Sequence, residues 1–363
     1  MLEAAFARIG GRNRISIGLL LLAFIVTRFL GASGAVGFGA RTDVEIAYRH
    51  WAVTVVERDQ VPYAQVNVEY PPGSLPFVLA PQLTTDTEHS YRVLFVSLMV
   101  LVDALGLLGL MVLSRRNGSM LGPWMWVVGL WILGPFIFLR LDLVPAVATI
   151  WAMERATNGK WGAGGALLGF GAIAKLYPLI ILPVLFIMAP REAKKRVLIG
   201  AGAVAAVFLA PFLLILPDVF NEVIGYHSKR GIQIESLWGS LLYVARSGTP
   251  IKFILHNYGA HHFEGGSTSM LKAIAGLATI GAVSLGAWVA HTSKRLPENL
   301  AGICFATLTL TVAVASVLSP QFFVWVVALA AVALCWPKSP VQLQAAALLF
   351  ILLLTRLIYP MLH

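Results

Sequence analysis

Long apolar runs separated by short basic, Gly- or Pro-containing links dominate this chain. They predict helices over 15–33, 88–113, 119–138, 143–154, 161–175, 178–190, 197–216, 270–290, 299–317, 320–336 and 341–357. A bilayer's hydrocarbon core takes about 20 helical residues, and stretches such as 197–216 and 299–336 are long enough for one and two passes. Runs 143–154 and 178–190 are shorter and must tilt, extend into their links or enter only partly. The pattern predicts an all-α polytopic membrane protein, a single domain over 1–363 with about 11 (10–13) transmembrane helices. The first run, Ile15–Val26, leads through Thr27-Arg28 into Phe29–Ala32 without a small-x-small cleavage site. It reads as a retained helix, not a signal peptide.

Two polar stretches, 34–87 and 218–269, break this regularity. With the N-terminus in the cytoplasm, Arg8, Arg12, Arg14, Arg115, Arg116, Arg155, Lys160, Arg191, Lys194, Lys195, Arg196, Lys294, Arg295 and Lys338 fall on the inner side, opposed only by Glu3, Glu154, Glu192 and Glu298. That asymmetry is the positive-inside pattern and sends both polar stretches to the outer face. Within the first, 43–57 has helical character, with Val44, Ala47, Trp51 and Val55 as an apolar stripe and Glu45–Arg49 spaced as an i,i+4 pair. A second short element is expected over 73–81 and a third over 236–244. His261-His262-Phe-Glu-Gly-Gly reads as a polar, mobile loop.

Composition agrees with a membrane solvent. Of 363 residues, 58% are hydrophobic and 12% charged, and mean hydropathy is +0.80. The net charge of +10 sits in the short links, so it serves orientation and anionic lipid, not nucleic acid. Cys304 and Cys335 both fall in apolar runs and read as buried, inert thiols. The chain has no HExxH, no dense His/Cys cluster, and no phosphate-binding or dinucleotide fingerprint. These features argue against a zinc protease or an ATPase. No cofactor is expected, and a divalent-metal requirement stays open.

Polar residues beside or within the apolar runs are the candidates for chemistry. Asp43 suits either a helix N-cap or a general base facing an outer-leaflet pocket. Glu69-Tyr70-Pro71-Pro72 stiffens a change of chain direction or holds a substrate loop. Arg140 and Asp142, spaced i,i+2, do not face each other on a helix, so Arg140 either binds phosphate or neutralises another carboxylate. Lys175 either snorkels or meets phosphate. His227, Lys229 and Arg230 form a cationic cluster followed by Glu235, Trp238 and Tyr243, a set suited to a phosphate and a sugar ring or simply to solvent. Ser319-Pro320-Gln321-Phe322 is a cavity-lining break or a plain turn. Asp103, mid-span, reads as a structural hydrogen-bonding group, while Arg28 and Arg356 read as snorkelling or lipid-phosphate contacts.

Taken in order, Asp43, Tyr70-Pro71-Pro72, Arg140-x-Asp142, Lys175-x-Tyr177-Pro178, Glu235-Ser236-Leu237-Trp238 and Ser319-Pro320-Gln321-Phe322-x-x-Trp325 resemble the bacterial membrane glycosyltransferases of family 87, of the GT-C class. The resemblance implies a GT-C-like bundle with juxtamembrane helices on the outer face of the bacterial cytoplasmic membrane. It implies an inverting transfer of a hexose, mannose by default, from a polyprenyl-phosphate donor to an envelope glycolipid or glycan. By that resemblance Asp43 is the base, and Lys175, Arg230, His227 and Arg140 serve the donor phosphate. Glu69 and Tyr70, with Glu235, Trp238 and Gln321, shape the acceptor and sugar side. The partners it implies are donor, acceptor and membrane lipid, with no nucleic acid. A flippase for a lipid-linked glycan or a silent GT-C-like scaffold are the competing readings, although the polar groups gather at one side and the chain shows no internal repeat.

Overall fold

The computed structural model describes residues 14–215, 230–245, 253–257, 260–263 and 266–358. Every apolar run predicted above contains helix. The first is α1 (Arg14–Val36). A single π turn (Val44–Tyr48) leads into α2 (Arg49–Val56), and a 3₁₀ turn (Pro72–Ser74) leads into α3 (Leu75–Gln82). Next come α4 (Glu88–Asn117), α5 (Leu121–Leu133), α6 (Leu143–Thr157), α7 (Trp161–Ala174), α8 (Leu182–Met188) and α9 (Arg191–Ile215). After α10 (Leu237–Ala245) follow α11 (Gly266–Thr292), α12 (Pro297–Val314), α13 (Phe323–Ala333) and α14 (Gln342–Ile358).

Local chemistry sets these limits. In α4, the Thr87 hydroxyl accepts the Ser90 N–H at 3.2 Å, Glu88 stands in the first turn, Arg115 and Arg116 in the last, and Gly118 closes the helix at φ 106°. Cap, dipole complement and left-handed stop all agree. By length and composition, α1, α4, α9, α11 and α12 can cross a membrane. The other apolar helices, including α5, α7, α13 and α14, have 10–17 residues. About 11 full crossings are therefore not confirmed: the break at Gly134 shortens the run predicted over 119–138, and the helices that stop at Lys175 or start after Ser319 are shorter than a bilayer.

The core sits around α13. Residues Val324–Ala333 are all buried, and α13 packs against α5, α6 and α12. A helix apolar on every side is stable only when enclosed, which fits this position. α7 and α9 approach closely: a Cβ on Gly165 would lie 2.2 Å from the Val197 carbonyl oxygen, and one on Gly169 2.5 Å from that of Ala201. Small residues let two helical backbones pack directly where apolar burial gives no drive between them. α1 and α11 instead expose large apolar side chains such as Leu22, Phe29, Leu277 and Ile280, as a lipid-facing surface requires.

Several expectations change. Arg28 is buried, 3% exposed, and does not snorkel. Its Nε meets Asp103 Oδ2 at 2.7 Å, while Trp126 Nε1 donates to Asp103 Oδ1 at 2.7 Å. Asp103 thus has the structural role expected of it, and its partner lies on α1. Glu45 pairs with Arg92 of α4, and the Arg49 guanidinium donates to the Asp86 carbonyl, so the i,i+4 pair does not form. Tertiary partners in a buried setting displaced a weak surface pair. Arg356 lies against Gly134, where an added Cβ would come 2.5 Å from its Nη1. The second polar stretch carries a small antiparallel sheet, β1 (Ile232–Gln233), β2 (Phe253–Asn257) and β3 (Ala260–Phe263), in the order β1-β3-β2. The fold is mostly helical but not all-α. The segment expected to be a mobile loop is in part the central strand, with His262 and Phe263 buried.

Candidate active site

The site lies where helices stop. α6 and α7 are antiparallel neighbours, so Asp142 and Lys175 share one end of the pair and Arg155 and Lys160 the other. Gly134, at φ 92°, ends α5. A 3₁₀ turn (Pro135–Leu139) follows, Arg140 is extended at φ −132°, and Asp142 sits at the N-cap of α6. Lys175 leaves α7 in extended conformation at φ −163°, since Pro178 bars further helix. Pro71 is extended too, and the buried turn after it rests on the end of α7. A Cβ on Gly73 would lie 2.8 Å from the Ile173 carbonyl oxygen, so only glycine allows that seat. It brings Tyr70 over Lys175.

Two ion pairs result. Asp43 pairs with Arg140. Lys175 Nζ donates to both Asp142 oxygens at 2.9 Å. Arg140 stands in extended backbone and not on a helix, and its pairing with Asp43 is the carboxylate-neutralising role that the sequence offered beside phosphate binding. The Lys175 ammonium lies 4.9 Å from the Tyr70 ring centroid and 5.4 Å from that of Trp325. It feels Asp142 as attraction, and Arg140 and Arg230 as repulsion. Burial raises the Tyr70 phenol above the usual tyrosine range, with the Asp142 charge adding to it and Arg230 opposing. Tyr70 therefore keeps its proton at neutral pH. Tyr48, buried among Trp51, Tyr70 and Phe95, anchors the turn that carries Asp43.

The accessibilities differ in a useful way. The Asp43 side chain is 39% exposed, whereas Lys175 is 12% exposed and Asp142 fully buried. An incoming hydroxyl can reach the first carboxylate but not the second.

Other predicted residues stand further out. Glu69 is half-buried, and its charge acts on Tyr70. Glu235 is half-buried in the turn between β1 and α10. Trp238 donates its indole N–H to the Val314 carbonyl at 2.7 Å and packs on Ile232, Leu242 and Phe263, so its ring anchors the sheet to the bundle. Gln321 lies in the 3₁₀ turn before α13. His227 lies outside the described residues, as does Lys229. Among the described residues, no group of three or more His, Cys, Asp or Glu is placed to hold a metal ion. A cleft of about 330 Å³ between α11 and α12, lined by Leu285, Lys294 and Ile303, is remote in sequence from these charges.

Three residues of this site had no role from sequence reasoning, although Asp142 and Trp325 stood in its motifs. Asp142 carries a signal, an acid between two leucines at a helix start, but its partner is 33 residues away. Gly73 follows the diproline, and its need for closeness depends on α7. Trp325, just after the break at Ser319-Pro320, stacks on Tyr177 at 4.2 Å and Phe322 at 4.3 Å, contacts that depend on a residue 148 positions away for the first.

Apolar helices carrying a half-open carboxylate beside secluded cations define a membrane protein built for polar chemistry at the ends of its helices. The family model for glycosyltransferase family 87 matches residues 68–320, and the chain belongs to that family. It is a membrane glycosyltransferase. Comparison with curated proteins gives no match. The matched stretch holds Tyr70, Arg140, Asp142, Lys175 and Arg230. Asp43 precedes it and joins the site through Arg140.

Proposed function

We propose that this glycosyltransferase moves a hexose, mannose first among candidates, from a polyprenyl-phosphate donor to an envelope glycan on the outer membrane face. The observation that carries this reading is the Asp43–Arg140 pair set beside the Asp142–Lys175 pair: a carboxylate open to an acceptor, next to cations sheltered from water. Asp43 takes the proton of the acceptor hydroxyl as that oxygen attacks the anomeric carbon. The new carbon–oxygen bond forms as the bond to phosphate breaks, and the polyprenyl phosphate leaves with the electron pair. Attack opposite the leaving group inverts the anomeric centre. Lys175 and Arg230, with Arg140 and His227, meet the charge that develops on the phosphate, where a low dielectric makes their field effective. Tyr70 and Glu69 face the acceptor, Glu235 and Gln321 the sugar, and Trp238 holds the segment that carries Glu235. Donor, acceptor and surrounding lipid are the partners, in a bacterial cytoplasmic membrane with the N-terminus inside.

The test is transfer from radiolabelled polyprenyl-phosphate-mannose into a mixed membrane glycolipid extract by the reconstituted protein. D43N is expected to lose about 10²–10⁴-fold in rate, the range of a general base, while remaining folded. Equal transfer by wild type and D43N removes Asp43 from the chemistry. Transfer from a different lipid-linked sugar alone corrects the donor and leaves the mechanism standing.

A further inference from the structure

Trp325 is 6% exposed, and its indole Nε1–H has no hydrogen-bond partner. An orphaned buried N–H is uncommon, because a polar group withdrawn from water is costly unless paired. This indole is also held rigidly. Tyr177 stacks on it at 4.2 Å and 8°, and Phe322 at 4.3 Å and 19°. Two stacked rings and the Lys175 ammonium already occupy its π surface, so the unpartnered polar edge is the group it has to offer a ligand.

The ring belongs to a cationic neighbourhood. Lys175 Nζ lies 5.4 Å from the Trp325 ring centroid, and Arg140 and Arg230 both act on Lys175 electrostatically. Asp142, whose two oxygens accept from Lys175, does not accept from this N–H, which is left without a protein acceptor. An acceptor supplied from outside, and preferably an anionic one, completes the set. We infer that Trp325 Nε1–H is a hydrogen-bond donor to a phosphate oxygen of the lipid-linked donor, acting beside the Lys175 ammonium. This deepens the function proposed above and rests on it. It also separates two tasks: Lys175 supplies charge without direction, whereas the clamped indole supplies one directed donor.

Farnesyl phosphate, a short polyprenyl phosphate, is the probe, and farnesol, the same chain without phosphate, is the control. Binding is measured on the full-length protein in detergent, for wild type and W325F. Wild type is expected to bind farnesyl phosphate more tightly than farnesol. W325F keeps an aromatic ring but lacks the N–H, and its smaller ring is expected to lower the ligand-free melting temperature slightly while the protein stays folded. It should bind farnesyl phosphate roughly 10-fold more weakly, the scale of one charge-assisted hydrogen bond, and farnesol unchanged. If W325F discriminates the two probes as well as wild type does, the Trp325 inference fails while the donor reading stands. If wild type does not discriminate them, the donor reading fails and takes this inference with it. Should W325F not fold, ¹⁵N-tryptophan-labelled wild type decides. One indole N–H resonance should move downfield with farnesyl phosphate but not with farnesol, and no such movement overturns the inference.

Discussion

The Asp142–Lys175 pair gives the sharpest quantitative expectation. Two contacts at 2.9 Å, with the carboxylate fully buried, make it a buried salt bridge. At an effective dielectric near 20, unit charges about 3 Å apart attract by about 5–6 kcal/mol, and the desolvation of both groups offsets much of that. Removing one partner is another matter, because the survivor keeps its desolvation cost and loses its compensation. D142N and K175M are each expected to cost about 3–5 kcal/mol of unfolding free energy. The double variant should cost clearly less than their sum, since it leaves no buried charge unpaired. The two singles should also differ. In D142N the ammonium faces Arg140 and Arg230 alone, whereas in K175M the carboxylate still lies in the field of both arginines, so D142N is the worse. Equilibrium unfolding in mixed micelles, titrated with denaturing detergent, reads all four proteins. If the single losses add to the double within about 0.5 kcal/mol, the two groups are independent and the argument is wrong. If K175M is the more damaging, the cationic neighbourhood assigned to Lys175 is wrong.

Two further outcomes follow from packing and charge outside that pair. Glu45 is buried, which alone would raise its pKa, but the Arg92 and Thr42 hydrogen bonds outweigh this and hold it below the ordinary 4.5. A lowered folded pKa contributes stability that is fully present above that ordinary value and is lost as pH falls through the folded one. E45Q should therefore be less stable than wild type at pH 7 and lose less on acidification, and parallel melting profiles from pH 7 to 3.5 would refute this. In the α7–α9 contact, Gly165→Val forces a Cβ to 2.2 Å from backbone that cannot swing aside, at a cost of at least about 1–3 kcal/mol. Gly202→Val, with nothing within 4 Å of its added Cβ, should be neutral, and equal thermal stability of the two variants would show that the helices are not in close contact.

Periodicity and charge asymmetry made the helices legible, because a membrane solvent demands long apolar runs and biases where Lys and Arg stand. Short elements expected over 43–57, 73–81 and 236–244 are present at 44–56, 72–82 and 237–245, the first marked by an apolar stripe and the second by a proline start. What stayed hidden depends on distance in sequence. Arg28 looks like a snorkelling terminus until α4 places Asp103 against it, 75 residues on. The i,i+4 spacing of Glu45 and Arg49 was a true local option that Arg92 outcompeted. At the site, Asp43, Arg140, Lys175 and Arg230 could be singled out as charges beside apolar runs, but their pairing could not. The strand at 260–263 was missed because Gly and His read as loop, whereas pairing on both sides fixes it as the middle of a sheet.

The π turn between Asp43 and α2 bears on how tolerant this site is to change. There the Arg49 N–H closes on the Val44 carbonyl five residues back, so the turn holds one residue more than an α turn would. One residue is about 100° of rotation on an α-helix. The compass bearing of Asp43 thus depends on an inserted residue as well as on the side chains that anchor the turn. Deletion of Ile46 or Ala47 would leave α2 whole, preserve every charged group, and swing the carboxylate about a quarter-turn away from Arg140. Point-substitution scans would pass over that vulnerability, whereas length variation in this five-residue turn would expose it.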